Sequence, residues 1–389
     1  MIATRLPAQL DVLIVGGGPV GALLAQRLAA TDLSILVAEA HPAAQDDPRA
    51  LALSWGSRQL LGDANLWDAA LDATAIERVH VSQQGTMGRV ELTHAEVGLP
   101  ELGCVVRYGK LATLLRQRLA AGPVPLLENA EVVALHALET YAEAQVRHAG
   151  ALHSVTARLV ILADGGKLAT TLPGLHQHSK PYRQQAILAL LTPASPHNNT
   201  AWERFADGGP LALLPCGEQL ALVWTQAPEQ AAARLALTDA VFLAELNAQL
   251  AGRAPEMVAV GPRSSFPLTL KTMDQVVGKR LALIGNAAQT LHPVAGQGLN
   301  LGLRDADTLA SLLENADRSD IGSSAQLARY ALLRRRDAGA VTQLTDGLVE
   351  LFRSPFLPLK HARSLGLLAL DLCGPARREL ARKMVFGAR

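Results

Sequence analysis

Cysteine is scarce in this chain. Of 389 residues only Cys104, Cys216 and Cys373 are cysteine, far apart and never in CxxC spacing. That excludes a disulfide framework and a cysteine-built zinc site, and it fits a reducing compartment. Net charge is nearly absent too, +1 at neutral pH, which argues against nucleic acid as a main partner. No apolar run reaches the roughly 18 residues of a spanning helix. The first long apolar stretch, Val12 to Ala25, is broken by glycines and runs into a helical pattern rather than a cleavage site, so a cytoplasmic protein is expected. Internal repeats and low-complexity tracts are missing as well.

What is present suits two structural units built around generous cores: 49% hydrophobic residues with 18% charged, over a length that is long for one core. The chain is organised around the stretch from Gly285 to Asp305. Arg280 to Ile284 reads as a short buried strand, and Leu299, Leu303, Ala306, Leu309 and Ala310 recur at helical spacing. The loop between them holds three glycines and a proline. Glycine adds no side chain and tolerates positive φ, so such a loop lets backbone N–H groups approach a planar polar ligand. The following helix aims its N-terminus, with free N–H groups and partial positive charge, at the same place. A reduced flavin, anionic near N1 and the C2 carbonyl, is a ligand of that kind.

The N-terminus carries a second station. Asp11 to Val15 is a buried strand, Gly16-Gly17-Gly18-Pro19-Val20-Gly21 supplies the GxGxxG turn, and Ala22 to Leu28 opens a helix. Ser34 to Ala38 is the next strand, ending at Glu39, close to the spacing expected of a ribose ligand. Gly16 makes the tight turn, Gly18 admits a pyrophosphate, and Gly21 lets helix and strand pack closely. Arg49 is a candidate bidentate phosphate donor, with a solvated arginine before a helix as the alternative. Arg107, where a strand (Leu102 to Val106) meets an amphipathic helix (Lys110 to Ala120), is a candidate for the cofactor's edge. A further buried strand, Leu159 to Ala163, ends in Asp164-Gly165-Gly166, with the acid at the carboxyl end where such folds place ligands.

From Tyr182 to Phe266 the texture changes to short strands broken by Gly208-Gly209-Pro210 and Pro215-Cys216-Gly217. An antiparallel sheet inserted into the nucleotide-binding unit, covering the ligand from the far side, is expected. After Asp305 the chain reads as helical. Ser364 to Leu372 is very apolar and precedes Arg377, Arg378, Arg382 and Lys383. In the last thirty positions seven bases face two acids. This pattern marks either a helix in a membrane interface or a docked terminal helix with a basic solvated face.

Gly16 to Glu39, Ala163-Asp164-Gly165 and Gly285 to Asp305, in that order, resemble the flavin-dependent aromatic hydroxylases of the p-hydroxybenzoate hydroxylase group. Glu203-Arg204-Phe205, Gly208 to Pro215 and Leu222-Val223-Trp224 resemble its ubiquinone-biosynthesis branch. Asn286 to Gln289, Asn300 to Gly302, Thr345 to Leu348 and Leu365 to Leu367 are similar to the polyprenyl-methoxyphenol hydroxylases within it. The resemblance covers nearly the whole chain. Two departures stand out: Gly285-Asn286-Ala287-Ala288-Gln289 replaces the usual Gly-Asp-Ala-Ala-His, and the usual Ser and Arg after Asp-Gly are absent, so that either Lys167 replaces the charge or the reductant approaches differently.

The resemblance implies an α/β fold: a Rossmann-like FAD-binding domain (1–75, 100–180 and 270–389), an inserted antiparallel sheet forming a substrate domain (76–99 and 181–269), and a helical C-terminus. It implies FAD and NAD(P)H as cofactors, no metal, and hydroxylation of a polyprenyl phenol by O₂ through a flavin C4a-hydroperoxide. The cofactor then supplies the difficult chemistry, which accounts for the lack of a catalytic triad, metal cluster or carboxylate pair. Gly16, Gly18, Gly21 and Glu39 are assigned to the ADP half, Arg49 to phosphate, and Asp164 and Asn286 to the pyrophosphate–ribityl region. Pro293, Gly296, Gln297, Gly298, Leu299 and Asn300 are assigned to the flavin ring. His292 is a candidate proton carrier against the commoner structural histidine. Partners expected are other ubiquinone-biosynthesis proteins and the inner face of a membrane, met peripherally through the C-terminus.

Overall fold

The computed structural model describes residues 9–41, 47, 49–206, 208–353 and 357–387. Strand β1 (Gln9–Val15) is apolar from Val12 onward and is followed at once by glycine, so it runs straight into helix α1 (Pro19–Leu28), which proline opens. Then come β2 (Ile35–Glu39), β3 (Ala50–Ser54), the hairpin strands β4 (Arg78–Gln83) and β5 (Arg89–Thr93), β6 (Gly103–Arg107), α2 (Tyr108–Ala121), β7 (Leu126–Glu128) and β8 (Ala151–Leu162). The middle of the chain supplies β9 (Gln177–Pro193), β10 (Thr200–Ala206), β11 (Gly209–Cys216), β12 (Gln219–Gln226), α3 (Pro228–Leu235), α4 (Asp239–Leu250), β13 (Ser264–Met273) and β14 (Leu281–Leu283). Four helices close it: α5 (Gln297–Glu314), α6 (Ser324–Arg353), α7 (Leu357–Leu372) and α8 (Gly374–Phe386).

The central strands of one mixed sheet run β14-β8-β1-β2-β7, paired parallel, with Val12 paired to both Leu159 and Ile35, while residues 142–148 pair antiparallel with β8 and residues 277–278 with β14. Both of its faces are covered, by α1, α2 and α5 on one side and by residues such as Leu135, Val146 and Leu168 on the other. This explains why its strands read as continuous apolar runs.

The second sheet runs β13-β9-β12-β11-β10-β4-β5. Its pairings are antiparallel except one: β10 lies parallel to β4, which arrives from far upstream in the chain. Leu211, Leu213, Leu222 and Trp224 form one face and pack on Phe242 and Leu246 of α4, fully buried. The opposite face, with Leu188, Val223, Ala212 and Leu214, is only half-buried. It looks across at β3 and at the loop before α5, since Ala52 and Leu214 pack on one cluster, and Val223 on the cluster that includes Val294. No described helix is long and apolar enough to cross a membrane.

Candidate active site

The GxGxxG turn is built by contact distance. Gly16 has φ of +108°, and a Cβ there would meet the Ala163 carbonyl oxygen at 2.6 Å. A Cβ on Gly21 would stand 2.0 Å from the Gly16 oxygen, so α1 lies directly on the strand end. Gly18 differs: its φ is −67°, ordinary for any residue, and a Cβ would meet nothing within 4 Å. The space beside Gly18 is therefore ligand space rather than packing space. No side chain caps α1, so its first N–H groups face that space. At the end of β2, Glu39 accepts the Gly17 N–H at 2.5 Å and the His41 N–H at 2.8 Å, which ties the strand to the turn.

The other rim begins where β8 ends. Both oxygens of Asp164 accept backbone N–H groups, from Gly166 and Leu168 at 2.9 Å each. The carboxylate thus shapes the turn that carries Lys167 and Leu168 into the cleft wall. The third station closes the site. Gly285 turns at φ +59°, Asn286 is exposed, and Gly296 at φ +60° leads uncapped into α5. One cleft of about 620 Å³ joins these parts, from Glu39 past Gly18 and Asp164 to Asn286, Gly298 and Leu299. Two uncapped helix N-termini converge on it, an arrangement suited to an elongated anionic ligand.

A buried network seats the loop. Asp305, on α5, accepts the Gly285 N–H and Gln289 Nε2, both at 2.9 Å, and pairs with Arg334 of α6. Arg334 also reaches Asp337 at 3.0 Å, which takes the Arg304 Nε–H at 2.7 Å. Burial alone pushes the Asp305 carboxyl upward, but Arg334, Gly285 and Gln289 all favour its ionised form, and Asp305 and Asp337 hold Arg334 charged. Asn300 accepts the Ser54 N–H and donates to the Ala52 and Gly296 carbonyls, pinning the loop to β3. His292 is 1% exposed. Its Nδ1 accepts the Val294 N–H, and its ring meets Tyr182 edge-on at 4.9 Å. Burial drives its pKa down to about 4, so the imidazole is neutral at physiological pH. Tyr182 in turn donates to Asp346 at 3.0 Å.

Of the residues singled out in sequence, Gly16, Gly18, Glu39, Arg49, Asp164, Asn286, Gly298 and Leu299 line the one cleft. Arg49 does so while paired with Asp47 at 2.6 Å and stacked over Tyr108. Arg107 is exposed and does not line the cleft, whereas its neighbour Tyr108 does. Gln297 donates to the Met384 carbonyl of α8, so like Asn300 it holds the loop from behind. Tyr108, Leu51, Thr171 and Thr290 line the cleft and were not singled out. Tyr108 alone carried a signal, as an aromatic at a strand–helix junction.

An open cradle at Gly18 and two free helix ends on one cleft fit FAD. Together with the half-buried sheet face opposite, they define a flavin-dependent hydroxylase of the p-hydroxybenzoate hydroxylase-like fold. The FAD binding domain family matches residues 9–345, and the chain belongs to that family. The ubiquinone hydroxylase UbiL of Rhodospirillum rubrum is 36% identical over 383 residues, spanning 96% of this chain and 88% of that protein. The 3-demethoxyubiquinol 3-hydroxylase of Escherichia coli is 34% identical over 393 residues, spanning 97% and 98%. Among solved structures, p-nitrophenol 4-monooxygenase from Pseudomonas putida shares the fold with a TM-score of 0.79 at 17% identity, over 98% of this chain and 100% of that one. The protein is thus an FAD-dependent aromatic monooxygenase of the ubiquinone-hydroxylase branch, using NAD(P)H as reductant.

Proposed function

We propose that the protein hydroxylates the ring of a polyprenyl phenol, of the 2-polyprenyl-6-methoxyphenol type, in ubiquinone biosynthesis. The observation that carries this reading is the apolar, half-buried sheet face of Leu188, Val223 and Ala212 opposite the loop that carries Val294. An alkylated aromatic ring would bury its surface there at about 25 cal/mol per Å². FAD, when bound, supplies the activation of O₂ after reduction by NAD(P)H. Residues of this chain do the holding. Gly16, Gly18, Gly21 and Glu39 take the ADP half, Arg49 a phosphate, and Asp164 and Asn286 the pyrophosphate–ribityl stretch. Pro293, Gly296, Gly298 and Leu299 form the ring's surroundings, Gln297 and Asn300 hold that loop from behind, and the neutral His292 braces it rather than moving protons. In this reading residues 1–75, 100–180 and 270–389 bind FAD, while 76–99 and 181–269 cover the substrate.

Incorporation of oxygen-18 from labelled O₂ into the phenol tests this. A label in the ring product is expected. NAD(P)H oxidation without label would mark a reductase, and no turnover at all a cofactor-bearing subunit of a lipid-biosynthetic assembly.

A lipid-soluble substrate also calls for access to the membrane, which we place at α7 and α8 on the inner face, where other ubiquinone-biosynthesis proteins would be met. On α7, Leu365 is 66% exposed and Leu372 86% exposed, with Leu368 between them on the same stripe. Arg378 and Arg382 of α8 are exposed. Arg377 is engaged elsewhere, its Nε donating to Glu96 at 3.0 Å, and Arg389 lies outside the described residues.

A further inference from the structure

Glu203 stands in the wrong company for a carboxylate. Strand register puts it in a line across six strands: Leu188 on β9, Val223 on β12, Ala212 on β11, Glu203 on β10, Val81 on β4 and Val90 on β5. Every other member is apolar. Alternation along β10 fixes the direction. Arg204 points to the α4 side, where it donates to the Gln249 carbonyl at 2.6 Å and to Ser82 at 3.1 Å. Glu203 therefore points the opposite way, onto the face of Val223 and Leu188, as does Phe205, which stacks on Phe352 of α6 with ring centroids 3.6 Å apart. Glu203 lies two strands from Val223, roughly 10 Å at the usual strand spacing, and Val223 packs on the cluster that includes Val294 of the loop before α5.

The residue is half-buried, on the sheet face that carries Leu188, Val223 and Ala212. Its carboxyl has no hydrogen-bond or ion-pair partner among the described residues, and burial alone raises its pKa from 4.5 to about 8. The groups facing it from neighbouring strands are Val81 and Ala212. On α7, Arg363 lies over the Phe352 ring, and no charged side chain contributes to the shift. Taking a carboxylate out of water without a partner is costly, so an unpartnered acid among apolar neighbours, on the face proposed to cover the substrate, calls for a partner brought by the substrate.

We infer that Glu203 hydrogen-bonds the phenolic hydroxyl of the substrate and takes its proton during hydroxylation, an inference that rests on the proposed phenol substrate. In that step the phenolic O–H bond breaks, the proton goes to a Glu203 carboxylate oxygen, and the electron pair stays on the ring oxygen. Electron density at the ring carbons ortho and para to it rises, and one of them receives an oxygen atom from O₂. The other oxygen atom leaves as water with the two electrons of NAD(P)H. When the product ring regains aromaticity, its oxygen recovers a proton from Glu203. General bases work best with a pKa near the working pH, and a carboxyl in this setting meets that condition.

The test uses the FAD-loaded full chain with a short-chain 2-prenyl-6-methoxyphenol, comparing wild type, Glu203→Gln and Glu203→Asp. Glu203→Gln keeps the shape and a hydrogen bond but cannot take the proton. Its kcat for ring product should fall on the order of 10²-fold or more, with reducing equivalents released as hydrogen peroxide. Its Kd for the phenol, read from flavin absorbance, should change less than kcat. The rising limb of kcat against pH, near 8 in wild type, should move toward about 10, where a free phenol ionises. Glu203→Asp should restore part of kcat and keep a limb below 10. If Glu203→Gln keeps wild-type kcat and the limb near 8, the inference is wrong. If wild type itself puts no labelled oxygen into the phenol, the function reading fails instead.

Discussion

Asp305→Asn isolates the network that seats the loop. Asparagine keeps the shape and can still accept the Gly285 N–H, but it removes the negative charge beside Arg334. The guanidinium of Arg334 is 4% exposed, as is that of Arg304, and both would then depend on the single carboxylate of Asp337. Removing one partner of a buried ion pair costs about 3–5 kcal/mol, because the charge left behind cannot be rehydrated. Against a total stability of roughly 5–15 kcal/mol, this is a large fraction. Urea unfolding at pH 7 should therefore show a loss of about 3–5 kcal/mol, and FAD content should fall with it, since Gly285 turns on Asp305. Replacing both members (Asp305→Leu with Arg334→Leu) leaves the Asp337–Arg304 pair balanced, so the double variant should be less destabilised than Asp305→Asn. A neutral Asp305 would be nearly mimicked by asparagine. Destabilisation below 1 kcal/mol with full FAD content would show that Asp305 is protonated, and the proposed ion pair would be refuted.

Gly18→Val has an ordinary backbone and open space around its side chain, so the protein should fold with the apo melting temperature unchanged yet purify colourless; retained flavin absorbance would move the pyrophosphate elsewhere. His292, neutral until about pH 4 in the folded protein, takes a proton near 6.5 once unfolded. Stability from this group is full above 6.5 and is lost as pH falls toward 4, by on the order of 3 kcal/mol. Urea titrations at pH 7 and 4.5 should show a smaller acid loss for His292→Gln than for wild type, and equal losses would refute the assignment. Glu203 works in the opposite sense: folded protein keeps the proton to about 8 while the unfolded chain ionises above 4.5. Stability therefore falls as pH rises from 4.5 to 8, by up to roughly 5 kcal/mol, and Glu203→Gln should be the more stable protein at pH 9 while being the poorer enzyme. Wild type should float with anionic vesicles at low salt and Arg378→Glu/Arg382→Glu should not; equal flotation of the two would reduce α7 and α8 to packing.

The first and third stations were legible because glycine at those places is demanded by local contacts that sequence spacing encodes. Gly16 and Gly21 touch the strand and each other within a single turn, and the helix ends they introduce follow within a few residues. Residues whose orientation depends on a distant partner were not legible in the same way. Asn300 and Gln297 look from sequence like ring ligands, yet they point away, to Ala52 and Met384, because β3 and α8 offer carbonyls there. Arg49 and Arg107 sit at comparable junctions, and only the first reaches the cleft, held over Tyr108 by Asp47.

Glu203 shows why the sheet resists such reading. A strand alternates faces at every residue, so the chemical meaning of Glu203 and Arg204 hangs on a one-residue register. That register is set by β11 on one side and, on the other, by the parallel pairing with β4 more than a hundred residues upstream. Either register would satisfy the backbone. Only one puts Trp202 and Arg204 against α4, where hydrophobic burial and the Ser82 and Gln249 acceptors stabilise them. Packing on the outer face thus forces an unpaired acid onto the inner one. A carboxyl so placed costs stability in the empty protein, and a cost of that size is tolerated where the ligand supplies the missing hydrogen bond.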